Sequence, residues 1–240
     1  MNKLKTIIQY ECTTSFKYIW YFYAIQYSIV TLITLIIGIS TGSFEDLGTN
    51  ALEMNTLIYI GILGVLGFKE DFKMLIQNGF TRKYIFTASL TMFAFISGIM
   101  ALFDTIMGNV IHYLQHNYLS LYSSIYGYGN VLVNWLWLFL AYMLICTLLY
   151  LGVLVINKIG KTLSIYLTVI LGGAVLLIVA LFRFVLSSEV VNNIVALMLK
   201  AFGFMRNGTI NYFFPVLTLL VLVGVLGISS YAVIRRTELR

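Results

Sequence analysis

Charged residues are scarce in this sequence. Asp, Glu, Lys and Arg make up 10% of its 240 residues, against about a quarter in an ordinary soluble domain. Hydrophobic residues make up 60%, and the mean hydropathy is +0.95. No water-soluble fold covers that much apolar surface, so a soluble enzyme or binding domain is excluded. The single proline and the lack of strands with alternating polarity argue against a β-barrel. We predict one all-α polytopic membrane domain over residues 1–240.

Cysteine and histidine are also rare, with two of each. Cys12 and Cys146 have neither the spacing of a metal site nor that of a disulfide framework, and we expect small buried or interfacial residues. His112 and His116 are four residues apart and can share a helix face. A metal site would require a further ligand, which no nearby Cys, Asp or Glu supplies. We therefore interpret the pair as polar residues near the membrane interface and predict no metal site.

No motif for catalysis or nucleotide binding is present. Gly160-Lys161-Thr162 resembles the end of a phosphate-binding loop, but Val155 stands where that loop requires its first glycine. The sequence also lacks a zinc-protease motif and a nucleophile elbow. We predict that the chain is not an enzyme and holds no cofactor. The net charge of +6 reflects membrane orientation, and no nucleic-acid partner is expected.

Lys and Arg are absent from two loops, 41–53 and 115–129. With six spans, the two sides of the membrane differ sharply in basic residues. Twelve lie on one side: Lys3, Lys5, Lys17, Lys69, Lys73, Arg82, Lys83, Lys158, Lys161, Arg235, Arg236 and Arg240. The other side has Arg183, Lys200 and Arg206. Because basic loops stay in the cytoplasm, we predict a multi-pass protein of the cell membrane with both termini cytoplasmic.

Six apolar segments are candidates for membrane spans, which need about 20 residues each. They are 18–40, 50–68, 85–114, 130–156, 162–182 and 210–234. The second is irregular, because only Met54 to Phe68 lacks charge, and this covers about 22 Å at 1.5 Å per residue. Glu53 must then lie near the outer interface or face a wet cavity, where it is a candidate residue of a transport pathway.

Two segments outside the spans have amphipathic patterns. In residues 1–17, Leu4, Ile8, Cys12 and Phe16 recur every four residues, which predicts an interfacial helix that runs into the first span. In residues 190–205, the apolar positions recur with helical spacing. They are Val191, Ile194, Val195, Met198, Leu199 and Phe202. This predicts an outer helix that lies flat or is re-entrant, and both alternatives stay open.

A charged stretch, residues 69–84 (KEDFKMLIQNGFTRKY), separates the second and third spans. Phe72, Leu75 and Ile76 can share one face of a helix. Asn78-Gly79 suits the end of that helix, where a left-handed residue is favoured, and Thr81 can cap the next one. The simpler reading is an ordinary cytoplasmic loop. The alternative is a helix that contacts a partner in the cytoplasm.

Asp104 and Arg183 are the ionisable residues nearest the membrane interior. Such residues usually face protein or water and find partners. Each lies about 20 residues from the cytoplasmic end of its span, which gives both a similar depth. An Asp104–Arg183 ion pair is one interpretation, and two separate side chains that reach toward the interface are the other.

This layout resembles the permease subunits of type-2 ABC exporters, the ABC-2 family, over the whole chain. Within it, GFKEDFKMLIQNGFTRKYIF is similar to Gram-positive members, although Asn78-Gly79 stands where many relatives have proline. The resemblance implies a dimer of permeases, homomeric or heteromeric, each bound to a separate ABC ATPase subunit that holds ATP and Mg²⁺. It assigns ATPase coupling to one set of residues: Glu70, Asp71, Phe72, Leu75, Asn78, Gly79 and Arg82.

The resemblance further implies export, and the uncharged spans favour a hydrophobic or amphipathic cargo such as a peptide. Two other classes of function stay open. One is a passive channel or an ion-coupled carrier, which would be expected to use buried carboxylates or histidines. The other is a membrane subunit for sensing or assembly that transports nothing. Copurification with an ATPase that hydrolyses ATP would distinguish an ABC exporter from both of these alternatives.

Overall fold

A computed structural model describes residues 3–42, 50–69, 75–77 and 79–235. Its named helices are α1 (Lys3–Thr41), α2 (Glu53–Lys69), α3 (Arg82–Leu114), α4 (Ser123–Tyr126), α5 (Val131–Ile159), α6 (Lys161–Phe184), α7 (Ser188–Ala201) and α8 (Phe213–Ile234). In the described part of the chain, extended pairing is limited to one isolated bridge, between Phe204 and Ile210. The predicted all-α class is therefore confirmed.

Five helices are long and apolar enough to cross a membrane: α1, α3, α5, α6 and α8. This composition indicates a membrane-embedded protein. Helix α2 is a shorter apolar helix of 17 residues, about 26 Å at 1.5 Å per residue, close to the roughly 30 Å of a bilayer core. The short second segment in the sequence is thus a short helix in the structure.

Helix α1 is continuous over 39 residues, so the helix predicted within residues 1–17 runs into the first long apolar segment, as expected, over the part that is described. In its predicted apolar row, Leu4 and Ile8 pack against the protein core, whereas Phe16 is 42% exposed. Ile7 and Glu11, beside that row, are both 6% exposed. Protein therefore covers part of the apolar row and the face beside it, which includes an acidic residue.

Helix α5 lies at the centre of the bundle and contacts α2, α3, α6 and α8. Its buried side chains recur every four residues, at Leu138, Tyr142, Cys146, Tyr150 and Leu154. This spacing keeps them in one row along the helix, so a single face of α5 can form the core. On α2, Gly64 lets the two backbones approach, since a Cβ there would lie 2.8 Å from the Cys146 carbonyl oxygen.

Helix α6 has the opposite character. No residue in its most apolar stretch is buried, and its main packing within the described chain is against α5. A helix that is this apolar and this exposed has lipid or another protein as its natural surroundings.

The two ends of the bundle differ in charge. Helix α3 begins at Arg82, α5 ends beside Lys158, and α8 ends at Arg235. The rings of Phe86 and Tyr231 lie 5.2 Å apart, which places the start of α3 beside the end of α8. We call this the basic end. The opposite end carries the loop 115–130, which includes α4, and the segment 185–212, which includes α7.

Candidate functional site

Asp104 is the centre of a buried polar cluster in the half of the bundle that lies toward the opposite end. Its side chain is 3% exposed. The Tyr23 hydroxyl donates to its Oδ1 at 2.9 Å, and the Tyr142 hydroxyl donates to its Oδ2 at 2.5 Å. The same Tyr23 hydroxyl lies 3.1 Å from the Met100 carbonyl oxygen. Three helices, α1, α3 and α5, are thus joined through one carboxyl group.

Thr56 of α2 completes this cluster. Its hydroxyl faces Tyr23 and Asp104 but makes no well-aligned hydrogen bond to either. Because Thr56 is fully buried, its hydroxyl has no water to bond with in this arrangement.

Glu53, at the start of α2, is the second buried carboxylate in this region, at 2% exposure. The Leu121 backbone N–H donates to its Oε2 at 3.3 Å, and its charge interacts with Asp104 and with Tyr118. The loop that follows α3 therefore closes over Glu53. Within the described chain, this loop covers Glu53, and its role in a transport pathway stays a prediction.

The loop 115–130 is folded rather than extended, and three of its tyrosines, Tyr118, Tyr122 and Tyr126, are at most 5% exposed. Burial raises the pKa of Tyr122 to about 12. The Tyr126 hydroxyl donates to the Phe202 carbonyl at 2.9 Å, and the Tyr128 hydroxyl donates to the Tyr118 carbonyl at 2.8 Å. These bonds hold the loop to itself and to the segment after α7, forming a cap over the Glu53 carboxyl group.

The proposed Asp104–Arg183 ion pair is not formed. Asp104 has tyrosine hydroxyls on both oxygens, whereas the exposed Arg183 guanidinium lies 5.6 Å from the Phe184 ring centroid. The reason lies in the packing: α6 contacts α5 and stays at the edge of the bundle, away from α3. Equal depth along two helices did not imply that they are neighbours.

The two histidines take part in the same cap. The His112 ring stacks on Tyr128 at 3.6 Å, and its Nδ1 lies 3.2 Å from the Tyr118 carbonyl oxygen. The His116 Nδ1 lies 3.3 Å from the His112 carbonyl oxygen. Among the described residues, no group of three or more His, Cys, Asp or Glu is arranged to hold a metal ion.

At the basic end, the predicted turn chemistry of the 69–84 stretch is confirmed where it is described. Residues 75–77 are helical, and Gly79 follows with φ of 77°, donating to the Ile76 carbonyl. The Thr81 side chain accepts a hydrogen bond from the Tyr84 N–H at 3.4 Å and so caps α3. The left-handed glycine ends one helix and the threonine begins the next.

The coupling residues expected from the family resemblance divide into two groups. Glu70, Asp71, Phe72 and Asn78 lie outside the described residues. Of the others, Arg82 donates through Nη1 to the Arg235 carbonyl oxygen at 2.7 Å, which joins the start of α3 to the end of α8.

Leu75 differs from its expected role as an anchor for a partner. It is 5% exposed and belongs to the protein's own buried cluster, together with Ile7, Ile85 and Ile234. A helical stretch with apolar residues on one face can turn that face inward or outward. Here Leu75 points into the bundle, so it cannot also fill the groove of a partner.

Sequence reasoning did not identify Tyr23 and Tyr142 as partners of Asp104. The burial of Tyr142 could have been predicted from the sequence. It shares a four-residue spacing with Leu138, Cys146 and Tyr150 and so lies in the buried row of α5. Tyr23 had none, since it stands in a run of aromatic residues at 18–23 that resembles an interfacial belt.

No family model matches the chain, and no curated protein or solved structure matches it either.

Proposed function

We propose that this chain is the membrane-spanning subunit of an ATP-driven exporter of the type-2 ABC class. It has six spans, with α2 as the second, and both termini are cytoplasmic. It pairs with a second permease and binds separate ABC ATPase subunits that hold ATP and Mg²⁺. Its cargo is hydrophobic or amphipathic, such as a peptide, and leaves the cytoplasm or the inner leaflet.

The observation that carries this proposal is the junction at the basic end. The 75–82 segment packs inward through Leu75 while α1 contributes Ile7 and α8 contributes Ile234 to the same buried cluster. Arg82 ties α3 to the last turn of α8. A push from the cytoplasm would therefore reach α8 through the bond between Arg82 and Arg235, and the buried core of the bundle through Leu75, as ATPase coupling requires. In this form of the proposal, Gln77, Lys83 and Tyr84 supply the surface for the partner, because they are exposed.

The first test concerns topology. In a background without the native cysteines, a cysteine at His116 should react with a membrane-impermeant maleimide on intact cells. A cysteine at Lys158 should react only after lysis. Both positions are exposed at opposite ends of the bundle. Labelling of both residues on intact cells would contradict the six-span arrangement.

The second test concerns the ATPase. The tagged chain is purified from its native membranes in mild detergent, and a copurifying protein with a phosphate-binding loop is sought. The purified complex is then assayed for ATP hydrolysis. Arg82→Gln should lower transport-coupled ATPase activity because it breaks the bond to the Arg235 carbonyl. Lys158→Gln is the matched control, since it removes another exposed positive charge at the basic end and Lys158 is not among the residues placed at the partner surface. Equal activity of both variants, or a chain that purifies without any ATPase, would count against the proposal.

A second candidate function, an ion-coupled carrier, is favoured by one specific observation. Three acidic side chains, Glu11, Glu53 and Asp104, are at most 6% exposed. Buried carboxylates in a membrane often mark ion pathways. The two functions separate cleanly in proteoliposomes: a carrier would dissipate a pH or cation gradient without ATP, whereas the exporter would require ATP and its partner.

A further inference from the structure

Two of the three basic residues that the sequence assigns to the outer side share one cleft. The cleft holds about 460 Å³ and lies between α7 and the loop that follows it. Asn193, Leu197 and Lys200 recur on one face of α7 and form one wall. Phe204, Met205 and Arg206 form the other. This volume falls within the range of small-molecule sites, about 300–1,000 Å³.

The wall that carries Arg206 is a firmly closed hairpin. The Met205 N–H donates to the Thr209 carbonyl at 3.0 Å, and the Asn211 N–H donates to the Gly203 carbonyl at 2.8 Å. Asn207-Gly208 makes the turn, with Gly208 at φ of 78°.

The hairpin and the end of α7 are also anchored to the rest of the protein. The Tyr126 hydroxyl of the cap donates to the Phe202 carbonyl at 2.9 Å, and the Thr218 hydroxyl of α8 donates to the Ala201 carbonyl at 3.0 Å. A Cβ at Gly203 would lie 2.7 Å from the Asn211 carbonyl oxygen, so the backbones are in close contact there. The cleft is therefore preformed and does not depend on a ligand to assemble it.

Within the part of the chain that the structure describes, no negatively charged side chain pairs with the two cations of this cleft. Lys200 lies over the Phe214 ring at 5.6 Å, and neither Lys200 nor Arg206 has a carboxylate within ion-pairing distance there. Glu189 is eleven residues before Lys200 on α7, about 16 Å along the helix. Two neighbouring cations repel each other unless an anion lies between them, and Lys and Arg are the residues that bind phosphate.

The surroundings of the cleft indicate the source of that anion. Leu197, Met198 and Phe202 are 54–70% exposed beside it, although α7 joins two helices that are apolar enough to span a membrane. Exposed apolar side chains next to cations are the pattern of a helix at the level of lipid headgroups. We propose that this cleft binds the phosphate of an anionic phospholipid, with Lys200 and Arg206 on the headgroup and Leu197, Phe204 and Met205 against its apolar part. This site is independent of the proposed export function.

The test is a titration of the purified full-length chain, in nonionic detergent, followed by native mass spectrometry. The three probes are dihexanoyl phosphatidylglycerol, dihexanoyl phosphatidylcholine and inorganic phosphate. We expect phosphatidylglycerol to bind about tenfold more tightly than phosphatidylcholine. Both lipids carry the phosphate, but the choline of phosphatidylcholine adds a positive charge beside Lys200 and Arg206, which phosphatidylglycerol lacks. Phosphate alone should bind more weakly than phosphatidylglycerol, since it lacks the apolar contacts.

The double variant Lys200→Gln/Arg206→Gln should weaken phosphatidylglycerol binding by about tenfold and remove the preference over phosphatidylcholine. Arg183→Gln is the matched control, because it removes the third outer cation, which does not line the cleft, and it should leave binding unchanged. Lys200→Arg/Arg206→Lys keeps both charges and should retain most of the binding.

Three results would overturn the proposal. One is an equal affinity for the two lipids, and another is unchanged phosphatidylglycerol binding in the Gln double variant. The third is phosphate binding as tight as that of phosphatidylglycerol, which would assign the cleft to a soluble anion. All variants are first compared by size-exclusion chromatography. If the Gln double variant is not monodisperse, the titration is made with Arg206→Gln alone, whose side chain is exposed on the hairpin.

Discussion

The Asp104 network allows a quantitative test of what holds α1, α3 and α5 together. Tyr142→Phe removes the hydroxyl that donates to Asp104 Oδ2 at 2.5 Å and leaves the ring in place. Removing one partner of a buried hydrogen bond leaves the other unsatisfied and costs about 1–3 kcal/mol of stability. Water cannot replace the lost donor, because Tyr142 is fully buried and Asp104 is 3% exposed. We therefore expect the free energy of unfolding to fall by about 2 kcal/mol.

The measurement is reversible unfolding in mixed micelles with an increasing fraction of sodium dodecyl sulfate, followed by the fluorescence of the three tryptophans. Tyr166→Phe is the matched control, because it makes the same chemical change on α6, where Tyr166 is 63% exposed. Its effect should stay within about 0.5 kcal/mol.

A double-mutant cycle then shows whether the hydroxyl acts through Asp104. Tyr142→Phe is combined with Asp104→Asn, and the loss for the pair should be smaller than the sum of the single losses by about 1–2 kcal/mol. Additive losses would mean that Tyr142 stabilises the protein by other contacts. A Tyr142→Phe effect no larger than that of Tyr166→Phe would refute the role of the network altogether.

Two further predictions concern packing. Leu75→Ala should lower the free energy of unfolding by about 2–4 kcal/mol in the same micelle assay, because Leu75 is 5% exposed, whereas Gln77→Ala, on an exposed residue, should have almost no effect. Equal effects of the two would contradict the inward packing of the 75–77 turn. Gly64→Ala should destabilise the protein, since its Cβ would lie 2.8 Å from the Cys146 carbonyl oxygen, while Gly172→Ala, which meets open space, should not. A harmless Gly64→Ala would show that α2 and α5 are not in such close contact.

Much of the local structure could be predicted from the sequence because it depends on neighbouring residues. The Thr81 cap and the left-handed Gly79 follow from side chains within a few positions of each other. The amphipathic helix predicted for residues 190–205 follows from a repeat of three and four residues, and α7 occupies 188–201. Hydropathy located the long helices for the same reason, since each is apolar along its own length.

The buried site could not be predicted because it depends on which helices are neighbours. Tyr23 and Asp104 are 81 residues apart, and Tyr142 and Asp104 are 38 apart. Depth along a helix can be read from the sequence, but the side of the helix and the identity of its neighbour cannot. For this reason the sequence suggested an ion pair between Arg183 and Asp104, which have a similar depth but lie on helices that are not packed together. The same limit explains why Leu75 was expected to contact a partner, since an amphipathic turn can direct its apolar face either into the bundle or toward the cytoplasm.

The continuity of α1 has a mechanical consequence. Tyr23 lies near the middle of this 39-residue rod, about 24 Å from Ile7 and about 27 Å from Thr41. Its hydroxyl is hydrogen-bonded to Met100 and Asp104 of α3, which makes Tyr23 a pivot point for α1. If the rod tilts as one body about this point, its two ends swing by nearly equal distances in opposite directions. A displacement of Ile7 at the basic end would then produce a displacement of similar size, in the opposite direction, at the Thr41 end of α1.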